Sequence, residues 1–209
     1  MGKKEKRVLM ANLGSDNPVF AQVLGICSTL AVTNVLENTV VMCAGVIFTL
    51  ACSNFTVSLV RKWIPPSVRM MVETLIIAAY VIIVDIVIQA TLPDISRQLG
   101  PYVGLIITNC IIMGRAEAFA LNNPPRLSLV DGIAAGVGYS YVLLIIAFFR
   151  ELMGSGTIWG LAIPWFSDWW TNWAIMVMAP GAFFMLAILI WIIKTTIVKD
   201  NPDSAGGAA

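Results

Sequence analysis

The chain contains no histidine among its 209 residues. That absence removes the commonest general base, the imidazole zinc ligand and the usual axial haem ligand. Triads of the Ser-His-Asp kind go with it. Charge is scarce as well: 12% of residues are Asp, Glu, Lys or Arg, against about 25% in an ordinary soluble domain. The formal net charge of +1 gives no electrostatic reason to expect a nucleic-acid partner. Cysteine is limited to Cys27, Cys43, Cys52 and Cys110. All lie in apolar runs rather than in a loop-rich secreted framework, which argues against structural disulfides. Soft-metal or redox chemistry must use these thiols. Hard-ion sites must use carboxylates, hydroxyls or carbonyls. No glycine-rich dinucleotide loop follows a strand, so the chain does not bind NADH by itself.

Apolar side chains are what the sequence has in excess, at 58%, with a mean hydropathy of +0.85. Intrinsic disorder is excluded by that content. The composition is that of an all-α integral membrane protein. At about 20 residues per crossing, the length suits about six transmembrane helices. The uncharged runs are too long for barrel strands and lack their alternation. The apolar runs start near Asn17, Asn38, Met70, Gly100, Leu127 and Trp173. Pro65–Pro66, the polar stretch Pro93–Gly100, Pro124–Pro125 and the segment Arg150–Asp168 read as connections. The first apolar run begins late and is followed at once by others, unlike a cleavable signal peptide. The expected organisation is a tail over 1–16, a six-helix membrane domain over 17–195 and a tail over 196–209.

The basic residues test the helix count. With both ends in the cytoplasm, Lys3, Lys4, Lys6, Arg7, Arg61, Lys62, Arg69, Arg115, Arg126, Lys194 and Lys199 fall inside. Arg97 and Arg150 alone fall outside, which accounts for all 13. The positive-inside rule predicts such an asymmetry, and a miscounted helix would spoil it. Trp165, Trp169, Trp170 and Trp173 are placed to anchor the outer end of the last helix.

Two segments share a skeleton. Pro18 precedes Cys27 by nine residues, Pro101 precedes Cys110 by nine, and the copies are 83 apart. The repeats then cover about 17–91 and 100–193. Three helices per copy is an odd number, so the second copy is inverted. Inverted repeats place their site near the midplane, often on interrupted helices, here the first and fourth. Each would bring one thiol to that point. Packing is the competing role for any intramembrane Cys. Cys43 and Cys52, nine apart on one helix, face opposite sides at about 100° per residue and are assigned to packing.

Three blocks carry a family resemblance: Val23-Leu-Gly-Ile-Cys27-Ser-Thr-Leu-Ala-Val-Thr33; Leu105-Ile-Ile-Thr-Asn-Cys110-Ile-Ile-Met-Gly-Arg-Ala-Glu-Ala-Phe-Ala120; and Asp131-Gly132 with Phe148-Phe-Arg-Glu-Leu-Met-Gly-Ser-Gly156. They resemble the NqrD/RnfE family over roughly residues 17 to 195. Its members are membrane subunits of the sodium-translocating NADH:quinone oxidoreductase (Nqr) and of the related Rnf complex. Ser28 and Leu30-Ala-Val-Thr33 look more like the Nqr branch, since Rnf relatives tend to carry Pro directly after the first Cys. The resemblance implies six helices, pseudo-inverted symmetry and a homologous partner of opposite orientation, NqrE (RnfA in Rnf). It implies a [2Fe-2S] cluster held between the pair, with Cys27 and Cys110 as this chain's iron ligands. It implies a six-subunit inner-membrane complex with NqrA, NqrB, NqrC and NqrF, in which FAD, FMN and riboflavin sit on other subunits. Electrons from NADH at NqrF would cross by this cluster to FMN on NqrC and pass through NqrB to quinone. This chain would be a subunit of that translocase, not catalytic alone. An equivalent RnfE subunit of a ferredoxin:NAD+ oxidoreductase and a cofactor-free inverted-repeat transporter are the alternatives.

Asp85 lies deepest of the carboxylates, and an intramembrane acid is by default a functional candidate. It is expected either on an ion path, in an aqueous crevice, or bonded across helices. Glu73 and Asp131 fall near the cytoplasmic ends of their helices. Glu117 and Glu151, beside Arg115 and Arg150, read as boundary residues. Asp131-Gly132 reads as the start of the fifth helix, an acid at the positive end of its dipole.

Overall fold

The computed structural model describes residues 24–33, 35–91, 93–155, 157–158, 161–162 and 178–200. Nearly all are helical. Helix α1 is Ile26–Val32 and α2 is Leu36–Val60. A 3-10 turn, Pro66–Val68, leads into α3, Arg69–Thr91. Helix α4 is Pro93–Ile107, and α5, Cys110–Arg115, continues into one π-helical turn, Ala116–Ala120. Helix α6 is Pro125–Ser155 and α7 is Ala179–Asp200. A two-residue antiparallel ladder, Thr157–Ile158 with Leu161–Ala162, is the sole strand pairing among the described residues.

Among the described residues, four stretches are long and apolar enough to cross a membrane: Leu36–Val60, Pro66–Thr91, Tyr102–Ala120 and Pro125–Gly154. Pro180–Ile193 is a shorter apolar helix. The 25 residues of α2 extend about 38 Å, more than the ~30 Å hydrocarbon core. Large apolar side chains such as Leu75, Ile82, Ile86, Phe184 and Trp191 point outward. Water would oppose that surface and lipid favours it. The chain is a multi-pass, all-helical membrane protein.

Hydrogen bonds between the connections fix the direction of each helix. At one end, Ser58 Oγ donates to Asn123 O at 2.6 Å, and Arg61 donates to Leu121 O and Asn123 O at 3.0 and 3.1 Å. At the other, Leu36 N donates to Glu151 Oε2 at 2.8 Å. The start of α2 therefore meets the end of α6, and the end of α2 meets the start of α6. The two run antiparallel. They are the middle members of the two halves, α1 to α3 and α4 to α7. Corresponding helices pointing in opposite directions make the repeat inverted, as the Pro-to-Cys spacing predicts.

Close approach of α2 and α6 explains Gly132. A Cβ there would lie 2.9 Å from Ala51 Cα and 3.0 Å from Leu50 O. Small residues let membrane helices pack backbone to backbone. Gly132→Ala is expected to lower stability by about 1–3 kcal/mol, as overpacking does. Thermal inactivation of the detergent-solubilised assembly measures it, and an unchanged midpoint would mean that the α2–α6 contact relaxes freely.

Several boundaries differ from expectation. Pro93–Gly100 is not a turn but the first half of α4. Proline is tolerated at the first helical position, where its missing N–H has no partner to lose. Helix α6 starts at Pro125, so Asp131 lies well inside it rather than at its dipole end. It also runs past Phe149, carrying Arg150 and Glu151 buried within the bundle. Both have internal partners that make the burial tolerable. The four tryptophans expected at the interface and residues 1–23 and 201–209 lie outside the described residues, while α7 runs to Asp200, past the expected start of the C-terminal tail at 196.

Candidate functional site

The break expected on the fourth span occurs directly before Cys110, and on the first span, described from Leu24 onward, α1 begins directly before Cys27. Gly25 adopts φ 91°, a left-handed conformation in which glycine alone is unstrained. It caps α1 and is followed by Cys27 on the first helical turn. Ser28 Oγ and Thr29 Oγ1 donate to Gly25 O at 3.2 and 2.8 Å and hold the turn. On the other half, α4 stops at Ile107 and Thr108–Asn109 is non-helical. Asn109 caps α5, its side chain accepting from Ile111 N at 3.3 Å. Cys110 is the first residue of α5.

The two segments touch. Gly25 N donates to Cys110 Sγ at 2.8 Å. The Cys27 and Cys110 thiols are near enough to interact electrostatically. Gly114 on α5 packs against Leu24, where a Cβ would stand 3.0 Å from Leu24 Cδ1. Cys27 is exposed and Cys110 half-buried, so the pair opens to one side of the chain. Cys43 is buried against Ser140 O and Cys52 is half-buried on α2, apart from this pair.

Behind the thiols sits a polar network inside an apolar core. Tyr139 of α6 is fully buried, and its hydroxyl is hydrogen-bonded to Ser28 Oγ. Asn109 Nδ2 donates to Ser28 Oγ at 3.3 Å. With Ser28 donating to Gly25 O, each of these buried groups has partners, as low-dielectric surroundings demand. The residue sequence reasoning missed is Tyr139. A buried Tyr hydroxyl needs a partner, and that requirement was the available signal.

Two buried clasps brace the bundle, the first of them across the two halves. Arg150 donates to Thr33 Oγ1 at 2.5 Å, and Thr33 Oγ1 donates to Thr29 O at 2.5 Å. Arg150 also donates to Met178 O at 3.2 Å, tying the end of α1 to the start of α7. At the opposite end, Arg115 makes a forked pair with Asp131, Nε to Oδ2 at 3.0 Å and its terminal nitrogen to Oδ1. Its guanidinium also lies 5.4 Å from the Phe119 ring centroid. Glu117 pairs with Arg69 at 3.1 Å. The string Gly-Arg-Ala-Glu-Ala-Phe-Ala ending at Ala120 is thus a set of anchors around the π turn.

Asp85 stays apart from the thiol pair in every interaction it makes here. It is half-buried on α3 and accepts from Gln89 Nε2, one turn on, at 2.8 Å. Glu73, read from sequence as near a helix end, is buried, with Oε1 unpartnered. Among the described residues, no group of three or more His, Cys, Asp or Glu gathers to hold a metal ion. The chemistry available is therefore that of two adjacent thiols with a fixed backbone N–H beside one of them. That is half of the four-thiolate set of a [2Fe-2S] centre.

Comparison with known proteins agrees with the geometry. A family model described as "Rnf-Nqr subunit, membrane protein" matches residues 6–190. A Photobacterium profundum protein, named as the D subunit of Na(+)-translocating NADH-quinone reductase, is 50% identical over 195 residues, 92% of this chain and 93% of the relative. Its namesake in Psychromonas ingrahamii is 49% identical over 193 residues, 91% of this chain and 92% of the relative. With the family match spanning most of its length, the chain belongs to the Rnf-Nqr family of membrane subunits.

Proposed function

We propose that the chain is the NqrD subunit of a sodium-translocating NADH:quinone reductase and that it supplies two of the four thiolates of an intramembrane [2Fe-2S] cluster. The observation that carries this reading is the approach of Cys27 and Cys110 at the starts of two helices, with the Gly25 backbone N–H on the Cys110 sulfur. A homologous, inverted subunit, NqrE, supplies the other two thiolates. A bound cluster would accept and release single electrons within the bilayer, linking the NADH-oxidising NqrF to the FMN-bearing NqrC. The chain's own residues do the positioning. Gly25 brings its amide to Cys110, Asn109 ends one helix and starts the next, and the α2–α6 pair fixes both halves. The membrane domain over 17–195 sits in the bacterial inner membrane, with the tails 1–16 and 196–209 in the cytoplasm. Asp85 is read as a residue of the ion path or of a contact between subunits, outside the electron route.

The electron paramagnetic resonance signal of the reduced complex tests this reading. Cys27→Ser and Cys110→Ser are each expected to abolish one [2Fe-2S] signal, while Cys43→Ser and Cys52→Ser keep it. Survival of all signals in the first two variants would overturn it. Asp85→Asn is expected to leave the same signal intact and to lower sodium-dependent turnover. A lost signal with the complex assembled would instead tie Asp85 to the cluster.

A further inference from the structure

We propose that Tyr139 is a positioning residue for the thiol pair, locking the two half-helices together so that the Gly25 N–H stays on Cys110 and raises the cluster's reduction potential. The inference rests on the cluster reading above. Tyr139 reaches both thiol-bearing segments through one shared group. Its hydroxyl bonds to Ser28, which follows Cys27, and Ser28 Oγ in turn accepts from the side chain of Asn109, which precedes Cys110. Its ring edge fills the space left by the missing side chain of Gly25, where a Cβ would come within 2.4 Å of Tyr139 Cε2. Ring and hydroxyl thus hold the Gly25 turn and the first turn of α1 directly, and the cap of α5 through Ser28. None is a thiol. Tyr139 acts on the sulfurs only through the segments that carry them.

The effect on potential follows from the N–H donor. Hydrogen bonds to ligand sulfur are among the determinants of iron–sulfur potentials. They offset negative charge and so favour the reduced, more negative state. Removing the Tyr139 hydroxyl frees Ser28 and Asn109 to shift, and the 2.8 Å contact from Gly25 N to Cys110 Sγ lengthens. The oxidised form gains.

Tyr139→Phe keeps the ring against Gly25 and deletes the lock. Ser28→Ala deletes the same bond from the other side without touching the ring, along with the Ser28 bonds to Gly25 O and Asn109 Nδ2. In the assembled complex at fixed ambient potential, each is expected to raise the oxidised-to-reduced ratio of the cluster about tenfold, equivalent to about 59 mV for a one-electron couple. The double variant should shift it little further than Ser28→Ala alone, because that variant already lacks the Tyr139 bond. Tyr141→Phe, exposed on the same helix, should shift nothing. Iron content is measured in every sample. Retained iron with an unmoved ratio in both variants overturns the role of Tyr139 and leaves the cluster reading standing. Loss of iron from both overturns it too, in favour of a general folding role. Retained iron and signal in Cys110→Ser overturns the cluster reading, and this inference with it.

Discussion

Gly25→Ala is expected to strip the complex of the iron bound by this chain and to destabilise the membrane domain. Two independent costs meet at this residue. The backbone stands at φ 91°, where an L side chain costs about 1–2 kcal/mol. The new Cβ would also lie 2.4 Å from Tyr139 Cε2 and 3.1 Å from its Cδ2. Overpacking of this kind costs about 1–3 kcal/mol more. Either relief is damaging. If Tyr139 moves, Ser28 loses its bond to the Tyr139 hydroxyl. If the Gly25 turn moves, its N–H leaves Cys110. Gly104 offers a control, because a Cβ there meets nothing within 4 Å. Iron per complex and the thermal midpoint, measured on Gly25→Ala beside Gly104→Ala, check the result. Equal values in both would mean that the left-handed turn is dispensable.

Arg115→Met is the second large effect. Asp131 is fully buried and holds a forked hydrogen bond from Arg115. Removing one partner of such a buried pair typically costs about 3–5 kcal/mol, because the remaining charge is left in a low dielectric. Replacing both is milder: the double variant Arg115→Met with Asp131→Leu is expected to recover much of the loss. A double-mutant cycle on thermal stability of the solubilised complex reads the coupling. Strict additivity would mean that the two side chains act separately. The break should also reach the thiols, since Arg115 ends the same short helix that begins at Cys110.

Much of this arrangement is legible in the sequence, and the legible parts share a cause. The membrane-spanning helices follow from the long uncharged runs, because a crossing needs about 20 apolar residues. The Cys27 and Cys110 pair follows from a repeated Pro-to-Cys spacing, because an inverted duplication places its copies face to face. Gly25 and Asn109 are residue types suited to ending and capping helices, and both occupy such positions.

The illegible parts depend on partners distant in sequence. Nothing local says that Arg115 will find Asp131, or that Arg150 will find Thr33 in the other repeat. Arg150 and Glu151 therefore look like solvated boundary residues when they are buried clasps. Pro93–Gly100 looks like a turn because polar composition imitates one, while the backbone there is helical. Tyr139 is invisible for the opposite reason. It lies in a continuous apolar run, and only the three-dimensional fold supplies the hydroxyl that its side chain needs.

The most direct measurement is iron and acid-labile sulfide in the purified complex, wild type beside Cys110→Ser, with assembly confirmed by subunit content. A loss of about two irons and two sulfides per complex, the content of one [2Fe-2S] centre, is the predicted result. Unchanged iron and sulfide in an intact complex would contradict it and return Cys110 to a packing role.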